Sequence, residues 1–214
     1  LPRKSRVQEA LAAKNKHNDP VQPKEDELKS LITKISKMRN LSEGLKNCME
    51  NIPISVDAIT AVGIGISFLG ALECNSYQDD IEIVIRIISL IGPLSAYWFI
   101  FHTTGKRIEV HTGDNDTIVD NFMKLVLQNK YIENKKFSKP LNQVLTIVSD
   151  MGIPPASAHV ARVTTSVAAS IFSSAAAGIF AFSGKYHGAA GYLCGEMLEG
   201  LKTENEAKEY VNYF

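Results

Sequence analysis

The sequence predicts an all-α protein, on three observations. Apolar residues recur at spacings of three and four through most segments. Period-two alternation and Asn-Gly hairpin turns are nearly absent. The breaks between periodic runs carry Ser, Pro and Gly where helix ends need them.

The elements follow in order. "PKEDELKSLITKISKMRN" (Pro23–Asn40) has acids in its first turn, lysines later, and Leu28, Leu31, Ile32, Ile35 and Met38 on one stripe, so it predicts an amphipathic helix matched to its dipole. "SEGLKNCMENIP" predicts a short helix that starts at Ser42 and stops before Pro53. A long helix is expected from Val56 to Glu73. Its Gly63, Gly65 and Gly70 miss the GxGxxG spacing and no strand precedes them, so they read as points where helices approach closely rather than as a phosphate loop. "DDIEIVIRIISLIGPLSAYWFIFHTTGK" continues as an apolar helix in which Pro93 is expected to make a kink or break. After the polar connector "GKRIEVHTGDND" come an amphipathic helix in "DNFMKLVLQN", an apolar helix before a Gly-Ile-Pro-Pro loop, and one long helix rich in Ala and Ser.

Composition narrows the function classes. The 214 residues carry 23 Lys and Arg against 23 Asp and Glu, so no net field invites nucleic acid or an anionic membrane. Only the start is basic, with five Lys/Arg against two acids in residues 1–20, and residues 1–22 are expected to form a solvated arm or partial helix. Val163 to Gly184 runs 22 residues without a charge, a length that could span a bilayer. It is rich in Ser, Thr, Ala and Gly, however, and the mean hydropathy of the chain is −0.04. A buried helix or dimer interface is the expectation, with no membrane and no nucleic acid as partners. Cys48, Cys74 and Cys194 show no CxxC and are expected to be small buried hydrophobes in a reducing, cytoplasmic setting.

Five histidines are the candidates for proton chemistry. His17 lies in the arm, and His102 and His111 flank the connector. His159 and His187 stand at the two breaks that bracket the Ala/Ser helix. No HxxxH or paired cysteines support a metal site, and no GxSxG elbow supports a serine hydrolase. His187 precedes Gly188 in "SGKYHGAAGYLCGEMLEGL" (Ser183–Leu201), at the start of another helix. Two readings stand side by side. It is a polar residue at a helix start, or a neutral imidazole held at a positive helix end and able to donate a hydrogen bond to a carbonyl oxygen as an enolate develops.

The stretch "VSDMGIPPASAHVARVTTSVAASIFSSAAAGIFAFSGKYHGAAGYLCGEML" resembles the middle of the citrate synthase family, which includes methylcitrate synthases and citryl-CoA lyase modules. "SAH" (Ser157–His159), the small-residue helix and "GKYHGAA" (Gly184–Ala190) carry the resemblance, which extends roughly from Pro23 to Leu201. It implies an all-α large domain over residues 23–214, packed as a homodimer through the small-residue helices, with the family's small C-terminal domain outside the sequence. It also implies an acyltransferase that condenses acetyl-CoA or a similar acyl-CoA with oxaloacetate or another 2-oxoacid, or cleaves citryl-CoA in reverse. By resemblance His187 is catalytic, as the donor to the thioester oxygen, and His159 and Gly188 bind substrate. No metal and no cofactor are expected, coenzyme A entering as the substrate thioester. Two departures accompany the resemblance. Met151 stands where the family has a substrate-binding histidine, and a thioether cannot donate a hydrogen bond. The family's second histidine, catalytic aspartate and most substrate arginines belong to its C-terminal portion. These departures fit an alternative, a non-catalytic helical dimerisation module.

Overall fold

The computed structural model describes residues 24–74, 76–77, 79–149 and 155–213. The expected N-terminal arm and Met151 lie outside them. Among the described residues there are helices and connectors but no strand. Helix α1 spans Glu25–Lys37, α2 Glu43–Glu50, α3 Ala58–Glu73, α4 Asp80–Thr104 and α5 Ile118–Leu127. A short α6 (Tyr131–Asn134) between two 3-10 turns leads to α7 (Ser138–Ser149). The chain then forms α8 (Ala156–Ser166), α9 (Ile171–Phe182), α10 (Gly188–Gly200) and α11 (Glu204–Tyr213).

The helix starts are set locally. Ser42, Asp57, Asp79, Thr117 and Ser170 each accept a hydrogen bond from a backbone N–H of the first turn that has no partner within its helix. Gly105 ends α4 in the left-handed conformation (φ 69°) that glycine adopts without a Cβ penalty.

Helix α4 is the axis of the core. Leu90, Leu94 and Tyr97 are fully buried on it, against Ile66 and Leu69 of α3 and Leu45 and Met49 of α2. One polar cluster locks this packing. The Arg86 guanidinium donates to both carboxylate oxygens of Glu73, at 2.7 and 3.1 Å, and to the carbonyls of Met38 and Asn40. Burial pushes the Glu73 carboxyl up, but the hydrogen bonds from Arg86 and Tyr77 outweigh it and hold the group below its usual range. The glycines of α3 act as spacing predicts: a Cβ on Gly63 would stand 2.6 Å from the Phe180 ring, and one on Gly70 2.6 Å from Phe172 Cβ. Since residue 63 meets 180 and residue 70 meets 172, α3 and α9 run antiparallel.

Three expectations are corrected. Pro93 does not break its helix, which runs on from Asp80 to Thr104. Losing one ladder bond at Pro93 is outweighed because Leu90, Pro93, Leu94 and Tyr97 are all buried. The long Ala/Ser helix is two helices. Thr164, Thr165 and Ser166 turn their hydroxyls back onto the carbonyls of Val160, Ala161 and Val163, which competes with helix propagation. Ala168 then takes φ 61°, and Ser170 caps a new helix. Finally, Cys74 and Cys194 are exposed and only Cys48 is half-buried.

Helix α4 is also long and apolar enough to cross a membrane by length and composition, and 56% of its most apolar window is buried inside the protein.

Candidate functional site

The turn at Val167–Ser170 folds α8 and α9 into an antiparallel hairpin. A Cβ on Gly178 would lie 3.1 Å from the Ser157 carbonyl oxygen and 3.2 Å from Ala161 Cβ, so the two helices cross almost in backbone contact. With 11 and 12 residues they are about 16 and 18 Å long. Their similar lengths bring the start of α8 close to the end of α9. That is where the chain turns through Ser183–Tyr186 and α10 begins.

His187 sits at this junction as the N-cap of α10. Its backbone N–H donates to the Gly184 carbonyl (2.9 Å), which fixes the turn. The imidazole does not cap its own helix. Its Nε2 instead lies 2.9 Å from Ser157 Oγ, across the hairpin, and its ring stands edge-on to Phe182 with centroids 4.8 Å apart. The side chain is half-buried between these two contacts. His187 thus stands at a helix start, with its side chain bonded across the hairpin rather than to the first turn.

Gly188 follows for a steric reason. A Cβ there would stand 2.5 Å from both the carbonyl oxygen and the ring of Phe182, and a backbone oxygen cannot yield as a flexible side chain can. His159 does not join the pair. It is exposed and lies two residues beyond Ser157 on α8, about 200° round the helix. Met151 falls outside the described residues. Ser157 and Phe182 are the partners that sequence reasoning did not single out. Ser157 stands 30 positions before His187, a separation no helical period connects, so only the hairpin brings them together.

Chemically, the arrangement offers an imidazole at the start of a 13-residue helix, whose end carries partial positive charge, steered by one hydroxyl and one aromatic edge. Among the described residues, no three His, Cys, Asp or Glu side chains gather as metal ligands would.

Comparison with known proteins identifies the family. The model of the citrate synthase C-terminal domain family matches residues 19–214. The chain belongs to the citrate synthase family. A 2-methylcitrate synthase of Shewanella oneidensis is 28% identical over 190 residues, covering 88% of this chain and 50% of that protein. A citrate synthase-related protein of Dictyostelium discoideum is 26% identical over 206 residues, covering 88% of this chain and 49% of that one. The crystal structure of citrate synthase from Thermotoga maritima superposes with a TM-score of 0.71 at 22% identity, covering 89% of this chain and 49% of that chain. The shared all-α fold is that of a citrate synthase, and this chain spans about half the length of the relatives it matches.

Proposed function

We propose that this citrate synthase family chain carries the acyl-CoA enolising side of a citrate-synthase-type condensation. The observation that supports it is the His187 imidazole held at a helix start by Ser157 rather than spent on capping. In this reading a carboxylate base takes a proton from the carbon beside the thioester. The C–H electron pair moves toward the thioester oxygen, and His187 donates a hydrogen bond to that oxygen as charge develops. The enol carbon then forms the C–C bond with the ketone carbon of oxaloacetate or another 2-oxoacid, whose C=O electron pair moves onto its oxygen and takes up a proton. Water then cleaves the thioester to a carboxylate and the free coenzyme A thiol. Coenzyme A enters as substrate, and no resident cofactor or metal is needed. Ser157 is a positioning residue, and Gly188 keeps the turn close under Phe182. His159 binds substrate in the same reading, from the exposed face of α8.

The test is thiol release from acetyl-CoA with and without oxaloacetate. Release is expected to depend on oxaloacetate and to fall by two or more orders of magnitude in His187→Ala. Ser157→Ala is expected to lower kcat about tenfold with KM for acetyl-CoA little changed, because it acts through the histidine. Release equal in native protein and His187→Ala sinks the role given to the histidine.

A second reading is a helical dimerisation module without turnover. It is favoured by a specific stripe on α4: Ile81, Val84, Ile88, Ile91 and Phe99 are all exposed, at spacings that share one helix face. Homodimerisation is part of both readings. Dimer mass in sedimentation with no thiol release would select the second.

A further inference from the structure

An apolar pocket of about 490 Å³ opens beside the Ser157–His187 pair. Ile59 and Val62 of α3, Ile91 of α4 and Ile179 of α9 line it, and Ser157 and Phe182 form the wall it shares with the histidine. No charged side chain reaches its lining, and the only side-chain polar groups there are the hydroxyls of Ser95 and Ser157. The space is not loose packing. The same helices touch almost backbone to backbone at Gly178 and ring to backbone at Gly63. It is the size of a small-molecule site, which runs from about 300 to 1,000 Å³, and far larger than the one methyl of an acetyl group requires.

We propose that this pocket takes the alkyl chain of a medium-chain acyl-CoA, with the thioester carbonyl at His187 and the chain running between α3, α4 and α9. The inference rests on the condensation reading and deepens it by naming the acyl substrate. The chemistry of the walls supports this occupant: apart from the Ser95 hydroxyl on α4, the lining is hydrocarbon up to the Ser157 hydroxyl, which lies 2.9 Å from the His187 Nε2. A molecule with one polar head and an apolar tail matches that distribution. Each methylene buried there tightens binding roughly fourfold, so the preference for a long chain over acetyl is large enough to measure.

The experiment is calorimetric titration of the full chain with octanoyl-CoA, acetyl-CoA and coenzyme A. Octanoyl-CoA is expected to bind at least thirtyfold more tightly than acetyl-CoA. Ala175→Leu, which fills the pocket from α9, should bring the two within threefold of each other and leave acetyl-CoA unchanged. Ile59→Ala, at a half-buried lining position outside the exposed α4 stripe, should weaken octanoyl-CoA fivefold or more with an unchanged melting curve, which guards against misfolding of the first variant. Equal affinities for octanoyl-CoA and acetyl-CoA in the native chain overturn the pocket assignment and leave the condensation reading standing. A preference that survives both variants also overturns it, since the chain then lies elsewhere. Failure of every CoA ester to bind overturns both readings together. If Ile91→Ala halves the sedimenting mass without changing octanoyl-CoA affinity, the pocket is a subunit interface and the assignment falls.

Discussion

The two halves of the molecule are built on different terms. From α1 to α5 the helices close on themselves, and nearly all the fully buried large side chains lie there, together with the Arg86–Glu73 cluster and the buried Arg39, which donates to the Asp116 carbonyl. Among the described residues from α7 onward, only α9 contributes buried ones, namely Phe172, Ser174, Ala176 and Gly178. Helices α7, α8, α10 and α11 have none, and Ile147, Val167, Tyr192, Leu198 and Val211 are more than half exposed. The difference teaches where stability and chemistry separate. The first half is a scaffold, α9 is docked to it through α3, and the Ser157–His187 pair sits at the far edge of that docked helix.

The contrast can be broken or sharpened by substitution. The largest effect is expected from Arg86→Met, which strands the Glu73 carboxylate beside Tyr77; removing one partner of a buried pair costs about 3–5 kcal/mol, read by urea unfolding. The pair also predicts a pH dependence. Because the folded-state Glu73 carboxyl sits below its unfolded value, its contribution is fully present above the unfolded pKa and is lost as pH falls through the lower, folded one. Native protein should therefore lose stability in that acid range more steeply than Glu73→Gln. A parallel acid profile in the two proteins would break the assignment.

Next comes Leu94→Ala, at a fully buried site on α4, where truncation leaves a cavity and costs about 2–5 kcal/mol. Gly178→Leu or Ala176→Leu should then cost about 1–3 kcal/mol by overpacking the crossings of α9. Gly178→Leu should in addition lower thiol release more than Ala176→Leu, since it pushes directly against Ser157. Equal losses from both variants would separate the hairpin from the site. The smallest effect is expected for Ile147→Ala on α7, within about 0.5 kcal/mol in thermal unfolding. A loss of several kcal/mol there would show that the second half is as tightly packed as the first.

Much of the architecture could be read directly. Ser42, with Pro53 beyond, framed α2 correctly because caps and prolines act within a few residues. The glycines of α3 were read as close-approach points, and Phe180, Phe172 and Met49 now stand where a Cβ would clash. Local rules allowed a break at Pro93 that burial overrode, and they missed one where side-chain hydroxyls competed with the backbone, at Thr164–Ser166. The candidate histidine was visible, but its contact with Ser157 was not, and the second candidate, His159, two residues beyond Ser157, lies about 200° round α8 from it.

By itself the sequence determined the all-α class, the helix order and the family, because periodicity, capping and motif order are local and survive in one dimension. Only the tertiary structure decided what His187 touches. The hairpin at Val167–Ser170 and the missing side chain of Gly178 let α8 and α9 lie close enough for residues 30 apart to meet at 2.9 Å. A contact of that kind depends on how two helices cross, and no spacing along the chain encodes the crossing.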